Sequence, residues 1–434
     1  RLFNLSGGAI SWAAGAEYRK EKSVSVPDEL IQQEMIFAYP LLIPEKGSFD
    51  VREVFGEVRF PLAQSLSVGT ALRLADYSTV GSATTWKIDS VWAPLPGVTF
   101  RGTLSQAVRA PNIAELYMPV GGTYEQILDP CDKNYRQHGP APANRQANCL
   151  EILTALEIDP ESFEPSQNVA SIPGSLGGNS SLKQETAKSW TAGVSLRPTF
   201  APGLHVAFDW YRTRLKDAIN TVSANELADL CVDAPSLDNV FCESIYRDET
   251  LGAETAGYID GFFLSPQNVS RFTVAGADLT VDYTFIPASG WGRFDLRATA
   301  GYLDELTFVP MPGAETLNDR KQPYAPKYMA TGDFTWTKGD WSVNFGSSYF
   351  SKTRRYDAET LAAEPDYVDP RFVWYKASWV HDLQVGYTMR DKGLRIYGGA
   401  NNVFDAGPDF PSGSFPNGWM GRYFYAGAKL DLGR

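Results

Sequence analysis

The side chains able to do chemistry are few and poorly placed for most of it. Four cysteines (Cys131, Cys149, Cys231, Cys242) and three histidines (His138, His205, His381) are spread through 434 residues. No C-x-x-C pair and no pair of neighbouring histidines has the spacing of a zinc site, and neither G-x-S-x-G nor H-E-x-x-H occurs. A hydrolase resting on one histidine would have no motif around it, and no metal, cofactor or catalytic residue is expected. What the cysteines can do is cross-link. Three pairings are open. Closure within one stretch orders a short segment, whereas a bond between distant stretches demands that two long loops meet. Cys131 with Cys149 and Cys231 with Cys242 are therefore the expected pairs, each contributing roughly 2–3 kcal/mol.

The elements that must carry these residues show one period throughout. From Val98 to Arg109, one face reads Val98, Phe100, Gly102, Leu104, Gln106, Val108, and the other Thr99, Arg101, Thr103, Ser105, Ala107, Arg109. Alternation of this kind marks a strand with one oily and one wet face. It returns in Leu204, Val206, Phe208, Trp210, in Leu279, Val281, Tyr283, Phe285, and in Trp341, Val343, Phe345. Fourteen strands are expected, near 9–20, 51–61, 66–77, 85–93, 98–109, 187–197, 204–216, 272–286, 294–305, 327–337, 341–351, 373–389, 394–403 and 422–432. Helical periodicity is nearly absent. Tight connections alternate with longer ones, the two largest being 110–186 and 217–271.

A soluble sandwich has no reason to make every second connection short. An outer-membrane barrel has short turns at its periplasmic end, long loops outside, apolar side chains toward lipid and polar ones toward the lumen. Aromatics near strand ends, among them Trp86, Trp92, Trp190, Trp210, Trp336, Trp341 and Trp379, suit the two interfacial girdles of such a barrel. No run approaches the ~18 apolar residues that a membrane helix needs. The net charge of −12 without a basic patch argues against a nucleic-acid partner.

Several separated stretches resemble the barrel of the TonB-dependent outer-membrane receptors. Ser105-Gln106-Ala107-Val108-Arg109-Ala110-Pro111, continuing to Glu115-Leu116-Tyr117, is similar to the family's S-x-x-[FV]-R-A-P-x-x-x-E-L-Y. Gly178-Asn179-Ser180-Ser181-Leu182-Lys183-Gln184-Glu185-Thr186 resembles G-N-P-x-L-K-P-E-T, with Ser180 and Gln184 where the family prefers proline. Tyr324-Ala325-Pro326-Lys327 and Asn401-Asn402-Val403-Phe404-Asp405 match two further strand motifs, and Tyr425, Gly427, Leu430 and Leu432 have the form of the closing strand. The resemblance implies an all-β, antiparallel, up-and-down transmembrane β-barrel, with residues 1–434 supplying about 14 strands of a 22-strand barrel. The plug domain, the TonB box and the first strands are then expected to lie outside this sequence, which begins at Arg1 as a processed product or a fragment. It further implies localisation in the bacterial outer membrane and active uptake of a scarce nutrient. The partners it implies are membrane lipid and lipopolysaccharide, TonB reached through the N-terminal part, the nutrient ligand, and a surface lipoprotein. The family's ligands include ferric siderophores, cobalamin, oligosaccharides and peptides, and the D-P-C to N-C form of Asp129 to Cys149 resembles its carbohydrate or peptide branch.

The acidity sits in the two largest loops. Residues 110–186 hold ten acidic and four basic side chains, and residues 217–271 hold ten and two, which leaves the remainder slightly basic. Two readings stay open: loops kept in water by their charge, or a mouth that repels anions and admits neutral, cationic or metal-bearing ligands. Candidate ligand contacts are Arg109, Tyr117, Tyr124, Tyr258, Phe263 and Trp419, the aromatic ones either stacking on a ligand or packing their own loops. A self-contained passive porin of 14 strands is the alternative, since an even strand number can close without more chain.

Overall fold

A computed structural model describes residues 3–36, 42–166, 170–309, 316–356, 361, 366–409, 412 and 415–431. Leu432 of the closing motif lies outside them. Fourteen strands form one antiparallel meander in which every strand pairs with its sequence neighbours. They are β1 Ser11–Ser25, β2 Glu45–Ala63, β3 Leu66–Tyr77, β4 Gly81–Leu95, β5 Val98–Arg109, β6 Glu185–Leu196 and β7 Leu204–Asn220. The second half comprises β8 Gln267–Phe285, β9 Arg293–Val309, β10 Tyr328–Lys338, β11 Trp341–Phe350, β12 Ser378–Met389, β13 Leu394–Asn401 and β14 Tyr423–Leu430. The outer edges are β1 and β14, and no ladder joins them among the described residues.

The register sorts the two faces. One continuous row runs Trp92, Phe100, Val194, Phe208, Leu279, Ala300, Ala330, Tyr349, Trp379 from β4 to β12. The adjacent row, Thr99, Ser195, Ala207, Thr280, Thr299, Thr331, Ser348, is almost wholly small and polar. Because opposite residues in an antiparallel pair share a face, the alternation of each strand adds up to one apolar and one polar wall. The polar wall carries its charges in pairs. Arg101 donates to Asp209 across Gly193 (2.7 Å from Nε), Arg73 to Glu53 (2.8 Å) and Arg297 to Asp282 (2.8 Å), with His205 on the same Asp282. Gly193 has no Cβ to block the first of these: one built there would collide with the Asp209 carboxylate.

The strands differ from the sequence expectation mainly at the end that carries the long connections. There β1, β2, β7, β8 and β9 run several residues past their alternating parts, because paired backbone continues after the oily/wet contrast has faded. One connection at that end shrinks to residues 78–80, so the short/long alternation is not strict. The strand expected from 373 begins at Ser378; Trp374–Tyr375 instead pairs separately with Thr353–Arg354. The near absence of helix is also corrected. Pro142–Ala155 and Ala224–Asp233 are helices, held by burial within the loops and, for the second, by a Ser223/Glu226 capping box.

Leu104 stands between Ile88 and Trp190 on the apolar wall, Thr103 between Asp89 and Thr191 on the polar one. An arginine at mid-depth facing lipid costs ~2–4 kcal/mol, and one facing a wet lumen far less. Leu104→Arg is expected to depress folding yield into bilayers strongly and Thr103→Arg only slightly; equal yields would show the faces to be reversed.

Candidate functional site

The two largest loops do not stay separate. Four short strands, in the order Ile245–Arg247, Ile259–Leu264, Ser171–Leu176, Gly121–Gln126, interleave both loops in one small sheet. Against it pack α2 (Pro142–Ala155) and α3 (Ala224–Asp233), with α1 (Ile113–Tyr117) at the loop root. Ile127, Leu153, Phe163, Ile172, Leu227, Val232, Ile259 and Phe262 share one buried core with three of the cysteines. Both disulfides form as the spacing suggested, Cys131 with Cys149 and Cys231 with Cys242.

Charges buried between the loops reinforce that core. Arg145 on α2 donates from Nε and Nη2 to Asp233 on α3 (2.8 and 2.6 Å) and reaches Asp229 at 2.8 Å. Burial disfavours its charged form, but these carboxylates more than offset that and hold Arg145 above the usual arginine value. Arg247 makes a two-pronged bond to Asp129 (2.6 and 2.9 Å), with side chains only 10% and 3% exposed. Asp129, Asp229 and Asp233 are thus neutralised locally. Part of the loop acidity is structural and does not contribute to repulsion at the mouth.

The motif residues bracket the roots of this unit. Arg109 binds Glu185 (2.6 and 2.9 Å) and Glu115 (3.0 Å twice), while Glu115 and Asn112 cap α1. Asn179 closes the same corner, its backbone amide donating to the Glu115 carbonyl and that of Gly178 to the Met118 carbonyl. A Cβ at Gly178 would stand 2.7 Å from the Met118 nitrogen, so only glycine allows this approach.

The sequence-derived contacts are spread over different elements. Tyr258 packs edge-on to Phe163 against the loop core, and Phe263 lies beside Gly177. Tyr117 covers Gly47, whereas Tyr124 and Trp419 are 70% and 77% exposed. The most unusual grouping was not anticipated. Trp374 has three cations over its ring: Lys352 at 4.7 Å, Arg354 at 5.7 Å and Lys321 at 5.8 Å from the centroid. The register of β11 with β12 continues into the Thr353–Arg354 pair, which keeps Lys352, Arg354 and Trp374 on the polar side at the rim. Burial and the charges of Arg320, Arg354, Lys327 and Lys352 all lower the pKa of Lys321. No carboxylate pairs with Lys321, Lys352 or Arg354 among the described residues. A local count of basic residues in 320–355 would have pointed to this cluster; the whole-chain charge conceals it.

Residues 2–403 match the family described as TonB dependent receptor-like, beta-barrel. The chain belongs to that family. TonB-dependent receptor barrels are outer-membrane proteins. Several solved structures share the fold. A mutant of the ferric enterobactin receptor of Pseudomonas aeruginosa is 16% identical over 96% of this chain and 50% of its own, with a TM-score of 0.58. The siderophore receptor PirA of Acinetobacter baumannii is 16% identical over 98% of this chain and 52% of its own, at 0.57. PirA of Pseudomonas aeruginosa is 15% identical over 97% and 54%, at 0.54. The chain spans about half the length of these receptors. No curated protein matches its sequence.

Removing one partner of a buried ion pair leaves the other unpaired at a cost of ~3–5 kcal/mol. Asp129→Ala is expected to open the loop unit to limited proteolysis while leaving the strands protected. Reduction of both disulfides should act in the same direction. Cleavage rates equal to those of the unaltered protein would show that Arg247 and Asp129 do not hold the loops together.

Proposed function

We propose that this chain forms the outer-membrane barrel wall and external loop unit of a receptor that takes up a scarce nutrient by TonB-dependent transport. The two unpaired edges are, on this reading, joined to further strands of the same protein, because open ladders in lipid cost several kcal/mol per group. Family membership supports a transporter rather than an enzyme. Among metal chelates, oligosaccharides and peptides, an anionic metal chelate fits best. The observation that carries this choice is the set of cations around Trp374: unneutralised positive charge on an aromatic face suits a ligand that is both anionic and aromatic. The siderophore receptors of similar fold point the same way. The exposed Tyr124 and Trp419, with Tyr117, are further stacking surfaces, while Arg109, Tyr258 and Phe263 serve by holding the loops.

Two measurements test this. Lys352→Gln with Arg354→Gln is expected to weaken binding of a ferric tricatecholate by at least about tenfold, the equivalent of one lost charged contact. Binding of an uncharged ferric trihydroxamate should hardly change. Equal affinities for both ligands in both proteins would remove the case for an anionic ligand. Steady open conductance of the purified receptor in planar bilayers would favour the passive porin instead.

A further inference from the structure

The Trp374 rim stands on a ribbon too short to hold itself. Thr353–Arg354 and Trp374–Tyr375 pair over two residues each, and an isolated two-stranded ribbon is marginal in water even when longer. What fixes it lies just past the two short strands. Arg355 has a side chain only 5% exposed; its guanidinium carbon sits 4.2 Å from the centroid of the Tyr375 ring, and its Nε donates to the Trp374 carbonyl at 3.4 Å. Its Nη2 lies 3.3 Å from Asp409 Oδ2, and the same oxygen accepts the Lys376 amide at 2.7 Å. Asp409 comes from the connection between β13 and β14. That connection grips the ribbon twice more, through Phe415, edge-on to Tyr375 at 4.7 Å, and through Asn417, which accepts from the Ser378 hydroxyl at 2.9 Å. Asp409 and Phe415 are themselves tied, amide to carbonyl, at 3.0 Å.

Arg355 is thus a different kind of cation from the three around Trp374. It is buried and matched by a carboxylate, whereas Lys321, Lys352 and Arg354 meet none among the described residues. Charge alone gives Asp409 no reason to be there, since a carboxylate beside a surface that takes an anion adds repulsion. Geometry gives one. A buried guanidinium needs its counter-charge, and losing it would turn Arg355 towards water and release the Trp374 carbonyl and the Tyr375 ring together. We propose that Asp409 is a positioning residue for ligand binding: through Arg355 and the Lys376 amide it fixes the Trp374 ring and Arg354 in the arrangement that receives the ligand, without touching the ligand itself. This role rests on the anionic-ligand reading of the rim. It adds that the connection after β13 sets the affinity of a surface built by other connections.

The test uses the full-length receptor in detergent with a ferric tricatecholate as probe. Asp409→Asn keeps an oxygen for the Lys376 amide and removes the charge that faces Arg355. A carboxylate acting through charge alone would, when removed, let the anion bind more tightly; one acting through position would make it bind more weakly. D409N is expected to weaken binding by at least about tenfold, in line with the loss of a partner to a buried charge, and D409E to recover most of it. Before any ligand is added, amide hydrogen exchange at residues 373–376 should be faster in D409N than in the unaltered protein, with β11 and β12 unchanged. If D409N does not insert, R355K carries the same comparison: it keeps the charge, loses the forked contact to Asp409 and Trp374, and should likewise weaken binding. Unchanged or tighter binding, or equal exchange, would overturn the positioning role alone. Failure of the unaltered receptor to prefer the tricatecholate over a ferric trihydroxamate would overturn the anionic-ligand reading, and exchange at residues 373–376 would then decide whether Asp409 holds the ribbon.

Discussion

A backbone amide that leaves water must find its acceptor within the sheet, and in this protein that requirement organises everything else. Pairing each strand with its chain neighbour satisfies the ladder from β1 to β14 without a crossover. Once the ladder is fixed, so is parity: residues opposite one another share a face, and a slip of one residue would turn every Phe208 inward and every Asp209 outward. The continuous row from Trp92 to Trp379 is the visible result, since it needs nine separate alternations to agree.

Parity also assigns work to charge. On the polar wall, cations and carboxylates meet across strands, as Arg101 and Asp209 do, and each pair is held by backbone rather than by flexible loops. Beyond the ends of the apolar rows the same parity continues with different residues. It places Lys352, Arg354 and Trp374 toward the mouth and Lys188 and Arg214 toward the exterior. Two positively charged surfaces at similar height thus address different surroundings, because one is one residue out of phase with the other.

Much of this was legible in the sequence where two faces have different solvents. The limits of β3 and β5 coincide with their alternation, and the disulfides follow from cysteine spacing. Legibility fails where both faces meet the same medium. The upper parts of β2 and β8 extend without contrast, and α2 is shaped by burial against the other loop rather than by its own periodicity. The R-A-P-x-x-x-E-L-Y stretch signalled its family, yet its Arg109 acts as a clamp on Glu185 and Glu115, a role that spacing alone does not reveal. The cluster at Trp374 shows in the sequence only as a local excess of basic residues, because Lys321, Lys352 and Arg354 come from two connections that the fold brings together.

The loop unit has a consequence for how such a protein can change over generations. Arg145 comes from one connection and Asp233 from another, with the β6 and β7 hairpin between them. Exchanging either connection alone for that of a different receptor would strand a guanidinium or a carboxylate in a dry interior. On physical grounds the two connections can be exchanged only together, whereas exposed tips such as the segment around Tyr124 can change without disturbing the interior.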